Sequence, residues 1–145
     1  MAYFDDIEVF YDLLVGVFDK LMQDPAIRQK ALDSNLLVEF VYRNPEGEYW
    51  VDCTGNEEVK VYPGGPPQDM TPDAVMTMEL DTAHAFWCGQ LNLLGALSSG
   101  EIEAEGSMPR LLKMLPVIKP AYAVYTDLLQ QKGLEDLIIE EEEED

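Results

Sequence analysis

Positive charge is what this sequence has least of. Only nine of its 145 residues are lysine or arginine, against 29 aspartates and glutamates, and the formal net charge is −20. Such a polyanion repels nucleic acid phosphates and anionic lipid surfaces, which excludes both as general partners. Cysteine is scarce too: Cys53 and Cys88 make no disulfide framework and read as reduced, partly buried thiols. Histidine occurs once, at His84, where it reads as a surface or hydrogen-bonded residue. No cysteine–histidine or carboxylate–histidine spacing suggests a metal site, so neither metal nor other cofactor is expected. Long apolar runs are missing, none approaching the roughly 18 residues that span a bilayer, and no cationic-then-apolar leader opens the chain. The expectation is a cytoplasmic protein with no stable membrane anchor. The glycines of Pro63-Gly64-Gly65-Pro66 lack the following lysine and serine or threonine of a phosphate loop, and Ser98-Ser99 lacks the glycine–serine–glycine elbow of a hydrolase. No catalytic residue is assigned.

What is present is enough apolar residue, 47%, for one domain to build a sizeable core. From Tyr3 to Met22 the residues Ile7, Phe10, Tyr11, Leu14, Val17, Phe18 and Leu21 recur at three- and four-residue steps, the period of an amphipathic helix. Its polar face is acidic, so the apolar face is read as packing on a sheet and not on a membrane. Asp24-Pro25 then marks the cap and first turn of a second, short helix. Three strand-like runs follow, Leu36 to Arg43, Tyr49 to Thr54 and Glu58 to Tyr62, joined by Asn44-Pro45-Glu46-Gly47 and Gly55-Asn56 turns. That spacing predicts an antiparallel meander.

Beyond a stiff Pro/Gly loop, Val75 to Leu80 alternates as a half-buried strand. A short helix follows, capped by Asp81 or Thr82 and carrying Phe86 and Trp87 before a stop at Gly89. The leucine-rich turn GQLNLLGALSSG comes next, then a second alternating run, GEIEAEGS, and a helix, MPRLLKML, begun by Ser107. Glu101, Glu103 and Glu105 fall on one face of that run and read as solvated. A final helix is expected over 117–131.

The order of strand, two short greasy helices, strand and short greasy helix, together with those three quoted segments, resembles the sterol carrier protein 2 family of lipid-binding domains from about Phe4 to Lys132. The resemblance implies an α+β fold: a five-stranded, mainly antiparallel sheet covered by about five helices that enclose an apolar tunnel, with the last helix over its mouth. The lining it implies draws Phe86 and Trp87 from the helix after the fourth strand and Leu91, Leu94 and Leu97 from the leucine turn. It also draws Met108, Leu111, Leu112 and Leu115 from the MPRLLKML helix, and Ile118, Tyr122 and Tyr125 from the last. Arg110 and Lys113, one helical turn apart in a chain poor in cations, are candidates to hold a ligand's carboxylate or phosphate, although their charge also suits balance of nearby acids.

Residues 1–133 thus form the expected lipid-binding domain and 134–145 an acidic tail. The tail has eight acids and no base, its composition fitting either a disordered run or a docking segment for a basic protein partner. The function expected is non-catalytic binding and carrying of a fatty acid, fatty acyl-CoA or sterol. Two alternatives stand beside it: an accessory subunit of a lipid- or steroid-metabolising enzyme, and a small isomerase-like pocket enzyme using Asp127 with Tyr122 or Tyr125.

Overall fold

The computed structural model describes residues 2–140. Helix α1 (Ile7–Leu21) begins where the Asp6 carboxylate accepts the Glu8 amide, and buries Phe10, Leu13, Leu14 and Val17 along one face. Helix α2 (Pro25–Asp33) is capped by Asp24 with Pro25 in the first turn, as its sequence predicts. The strands β1 (Leu37–Arg43), β2 (Gly47–Asp52) and β3 (Lys60–Pro63) form the expected meander. They are followed by β4 (Ala74–Glu79), α3 (Leu80–Trp87), α4 (Leu93–Ser99), β5 (Ile102–Gly106), α5 (Met108–Leu112), α6 (Leu115–Ile118) and α7 (Ala121–Gln131). No helix among the described residues is long and apolar enough to cross a membrane.

The sheet is mixed, which corrects the mainly antiparallel expectation. Its order is β3-β2-β1-β4-β5, and β4 runs parallel to the central β1, pairing Val38 with Ala74, Phe40 with Met76 and Tyr42 with Met78. Strand periodicity carries no record of this, because the crossing is made by the loop. Ten residues, 64–73, reach up to about 33 Å when extended. Three strand spacings are about 14 Å, so the loop can return past β2 and β1 and start β4 from the same end as β1. Asp73 fixes that start. Its carboxylate accepts the Leu37 amide at 2.9 Å, its own amide donates to the Leu37 carbonyl at 2.7 Å, and its carbonyl accepts the Ser107 amide at 3.0 Å. One residue therefore ties the beginnings of β1 and β4 to the end of β5.

Two further corrections concern helices. The helix expected over 117–131 is divided at Lys119-Pro120 into α6 and α7, which raises the helix count above the five expected, since proline has no amide to continue the hydrogen-bond ladder. The α3 N-cap is Glu79, with no side-chain capping bond, and Asp81 instead accepts the Tyr3 amide at 2.9 Å.

Alternation sorts the sheet into two faces. Val38, Phe40, Tyr42, Tyr49, Val51, Met76, Met78 and Ile102 point toward the helices and join one core with α1, α3 and α7, with Phe40 partly buried. Leu37 and Trp50, although buried, lie outside that core on the opposite face, where the Trp50 indole donates to Glu48 at 2.9 Å. Glu103 and Glu105 on the edge strand β5 are exposed, as the sequence suggests.

Candidate functional site

Two apolar cavities lie between the helices and the inner sheet face, about 40 Å³ and 50 Å³ in volume. The floor of the first is laid by sheet register: Tyr42, Met78 and Ile102 sit in one cross-strand row, Phe40 and Met76 in the next. Its walls are Ala83, Phe86 and Trp87 of α3, Leu93 of α4, Leu111 of α5, and Leu115 and Ile118 of α6. The second cavity lies further toward the start of β1, over Leu36, Val38, Val51 and Cys53, and is walled by Phe18, Met22, Met114 and Val117 among others. Phe40, Trp87, Leu111 and Ile118 line both. These four side chains form a partition, and on either side the space follows β1 from Leu36 to Tyr42, about 20 Å at ordinary strand rise. None of the described residues lining either cavity carries a charge.

Of the residues the resemblance assigned to the lining, Phe86, Trp87, Leu111, Leu115 and Ile118 are at the cavities. The others are elsewhere. Leu94 is 60% exposed, Leu91 and Leu97 pack against the core margin, and Met108 and Leu112 are half-buried away from both cavities. Tyr122 lies against Gly89 and edge-on to Phe86, and Tyr125 is fully buried in a polar contact of its own. The cover of the cavities thus comes from α5 and α6, while α7 packs on α1 and α3. Arg110 donates to the Ser34 and Asn35 carbonyls at 2.8 and 2.9 Å, tying α5 to the turn before β1. Lys113 is exposed, and neither cation reaches a cavity lining. Sequence reasoning missed Phe40, Tyr42, Met76 and Met78. Their inward register was legible from alternation, but alternation alone gives core and cavity positions the same pattern.

The isomerase-like alternative requires a carboxyl group inside the cavity. Asp127 is exposed on α7, and no carboxylate is among the described lining residues. Nor do the described residues contain a cluster of His, Cys, Asp and Glu suited to a metal.

His84 is the node at which Tyr3 and Phe4 from before α1 and Leu137 from after α7 meet the body. It is fully buried, with the rings of Tyr3 and Phe4 at centroid distances of 4.7 and 5.2 Å. Its Nε2–H donates to the Leu137 carbonyl at 2.6 Å; a carbonyl only accepts, so the proton is on Nε2 and the Tyr125 hydroxyl donates to Nδ1 at 2.7 Å. Residues 134–139, counted with the acidic tail from sequence, are therefore seated on α3. Leu134, Leu137, Ile138 and Ile139 pack on the core, Glu140 is exposed, and 141–145 lie outside the described residues.

Burial lowers the His84 pKa from its ordinary value, and the Leu137 carbonyl and Asp81 only partly oppose it. The unfolded chain therefore takes up this proton more readily than the folded one. The stabilisation is complete above about pH 6.5, the ordinary value, and is lost as pH falls from there through the folded-state value. Glu39, whose pKa burial and then Glu48 raise, acts with the opposite sign, nearer the carboxylate range. Urea midpoints measured from pH 7.5 down to 5.5 are expected to fall in the parent and to stay nearly level in His84→Gln, whatever the absolute stability of that variant. Parallel profiles would remove His84 as the cause.

No family model matches the sequence, and no curated protein matches it. Solved structures do match, and they define the class as an α+β domain whose helices close one face of a five-stranded sheet. The solution structure of the sterol carrier protein domain 2 of Helicoverpa armigera is 21% identical with a TM-score of 0.61, covering 79% of this chain and 88% of that one. Sterol carrier protein 2 from Yarrowia lipolytica, in its apo form, gives 14% identity and a TM-score of 0.60, covering 79% and 90%. UbiJ-SCP2, a ubiquinone synthesis protein, gives 17% identity and a TM-score of 0.54, covering 74% and 88%. The chain has the sterol carrier protein 2 fold.

Proposed function

We propose that the protein binds a hydrophobic ligand, a fatty acid, fatty acyl-CoA or sterol, in the space along β1 and carries it without altering it. The observation that carries this reading is the pair of uncharged cavities along the inner sheet face, whose linings share Phe40, Trp87, Leu111 and Ile118. As they stand, both are far smaller than the roughly 300 Å³ at which small-molecule pockets begin. Uptake therefore has to displace the partition, and α5 and α6, helices of five and four residues, are the cover best suited to yield. Affinity then comes from desolvation, about 0.8 kcal/mol for each methylene buried. The fold shared with sterol carrier proteins supports the same reading. A second reading, an accessory subunit that docks a basic partner, is favoured by the acidic run continuing from the seated residues 134–139.

The two tryptophans test the location. Trp87 lines both cavities and Trp50 lies on the other sheet face. Titration with a brominated fatty acid, which quenches tryptophan only on close contact, is expected to quench strongly in Trp50→Phe and much less in Trp87→Phe. The reverse order would place the ligand on the outer face.

A further inference from the structure

We infer that the outer surface of α4, α5 and α6 is where the protein docks, reversibly, on a phospholipid surface carrying anionic headgroups. The inference rests on the carrier reading for its purpose, since it supplies the place of loading. The 29 acids of the chain leave two long gaps: none occurs between Asp81 and Glu101, and none between Glu105 and Asp127. Those gaps contain α4, α5, α6 and the start of α7, and three of the nine cations, Arg110, Lys113 and Lys119, fall within the second. Leu93, Leu111, Leu115 and Ile118 turn one side of the three short helices toward the first cavity. The side left to solvent carries Leu94, Pro109, Lys113, Pro116 and Lys119, all exposed. An apolar tip among prolines and lysines, without a carboxylate of its own, has the composition of a shallow interfacial contact. Glu101, just past α4, and Asp33, on the α2 helix that packs against α6, are neighbouring acids, and Lys30 lies one helical turn from the latter.

Much of the acidic charge is gathered elsewhere. Glu39, Glu48, Glu103 and Glu105 point from the outer sheet face, away from the helices, and Glu8, Asp12 and Asp19 are exposed on α1. Exposed charges are screened beyond about 8 Å at physiological salt, so a membrane that meets the cover senses mainly its lysines. The net charge of −20 repels the same membrane in other orientations, which makes the contact selective and brief. A lipid surface suits this face better than an acidic protein does. The helices that must yield for uptake, α5 and α6, are the ones that carry it, and a bilayer is where a fatty acid, acyl-CoA or sterol resides.

The test floats the full chain with vesicles of phosphatidylcholine alone and of an equal mixture of phosphatidylcholine and phosphatidylglycerol, at physiological salt. The parent is expected to prefer the mixed vesicles, and Lys113→Glu/Lys119→Glu to lower that partition at least about 10-fold. Lys60→Glu/Lys132→Glu makes the same change of net charge elsewhere and is expected to shift partition less than about 2-fold. A solvent-sensitive fluorophore on Leu94→Cys, attached while Cys53 and Cys88 are buried, is expected to shift to the blue on the mixed vesicles. One on Glu103→Cys is expected to stay unchanged. No partition onto either vesicle, equal losses for the two charge-reversal pairs, or a blue shift at Glu103→Cys overturns the inference and leaves the face to a protein partner. Partition is read without ligand, so these outcomes leave the carrier reading intact. A protein that floats as expected but takes up no fatty acid overturns the carrier reading instead.

Discussion

Leu111→Ala is expected to make the protein less stable and a better lipid binder at the same time. Leu111 is 8% exposed and stands in the partition between the two cavities. Truncating a buried leucine costs about 2–5 kcal/mol, the upper end applying where the surroundings cannot collapse into the gap. Here collapse is opposed from both sides, since Phe40, Trp87 and Ile118 already border unfilled space. The same change joins the cavities, so less of the partition has to be displaced by an entering chain. Urea denaturation should report the loss, and uptake of a fluorescent fatty acid should tighten. A ligand at one hundred times its Kd should restore about 2.7 kcal/mol of the stability. If Leu111 were ordinary core, stability would fall and binding would stay unchanged or weaken.

Gly106→Ala has the second large effect, and its cause is backbone. Gly106 ends β5 at φ +101°, in a region that L side chains rarely adopt, opposite Ala74 in the register. A Cβ there meets the Asp73 carbonyl oxygen and, at 2.9 Å, the Ala74 Cα. Neither can move freely, because Asp73 holds the Leu37 and Ser107 backbones together. Strained backbone and overpacking each cost about 1–3 kcal/mol, so a loss of roughly 3–5 kcal/mol is expected. Gly64 is the control: its φ is also positive, at +82°, but a Cβ there meets nothing within 4 Å. Gly64→Ala should cost only about 1 kcal/mol. Equal thermal shifts for the two variants would mean that the Asp73 junction is softer than its hydrogen bonds indicate.

Local signals in the sequence carried most of the elements. The Asp24-Pro25 start of α2, the turn-bounded run of β1 and the alternations of β4 and β5 needed nothing beyond their own neighbourhood. The parallel pairing of β1 with β4 did. It depends on where a ten-residue loop sets down its far end, and the Asp73 contacts that decide this are made to Leu37 and Ser107, each more than thirty residues away. Pro120 was a legible break between α6 and α7, but the helical spacing on either side of it hid the boundary. At the site, the aromatic pair Phe86 and Trp87 and the leucines of α5 and α6 were partly found, because short greasy helices carry more apolar surface than they can cover. Which leucine of such a helix faces inward is settled by its neighbours: Leu93 reaches the first cavity while Leu94, one residue on, is largely exposed. Arg110 shows the same limit for charge. Its scarcity marked it as a candidate head-group ligand, and the Ser34 and Asn35 carbonyls that engage it lie seventy-five residues or more away in sequence.

Carrying a lipid requires the space along β1 to open. The direct measurement is native mass spectrometry of the purified protein, before and after incubation with a long-chain lipid, with any co-purifying molecule extracted and identified. One ligand per chain, lost when Ile118→Trp fills the partition, is the predicted result. A parent protein that remains at its unliganded mass under every lipid offered would contradict the account, leaving two closed core cavities and a domain whose role lies in docking a partner.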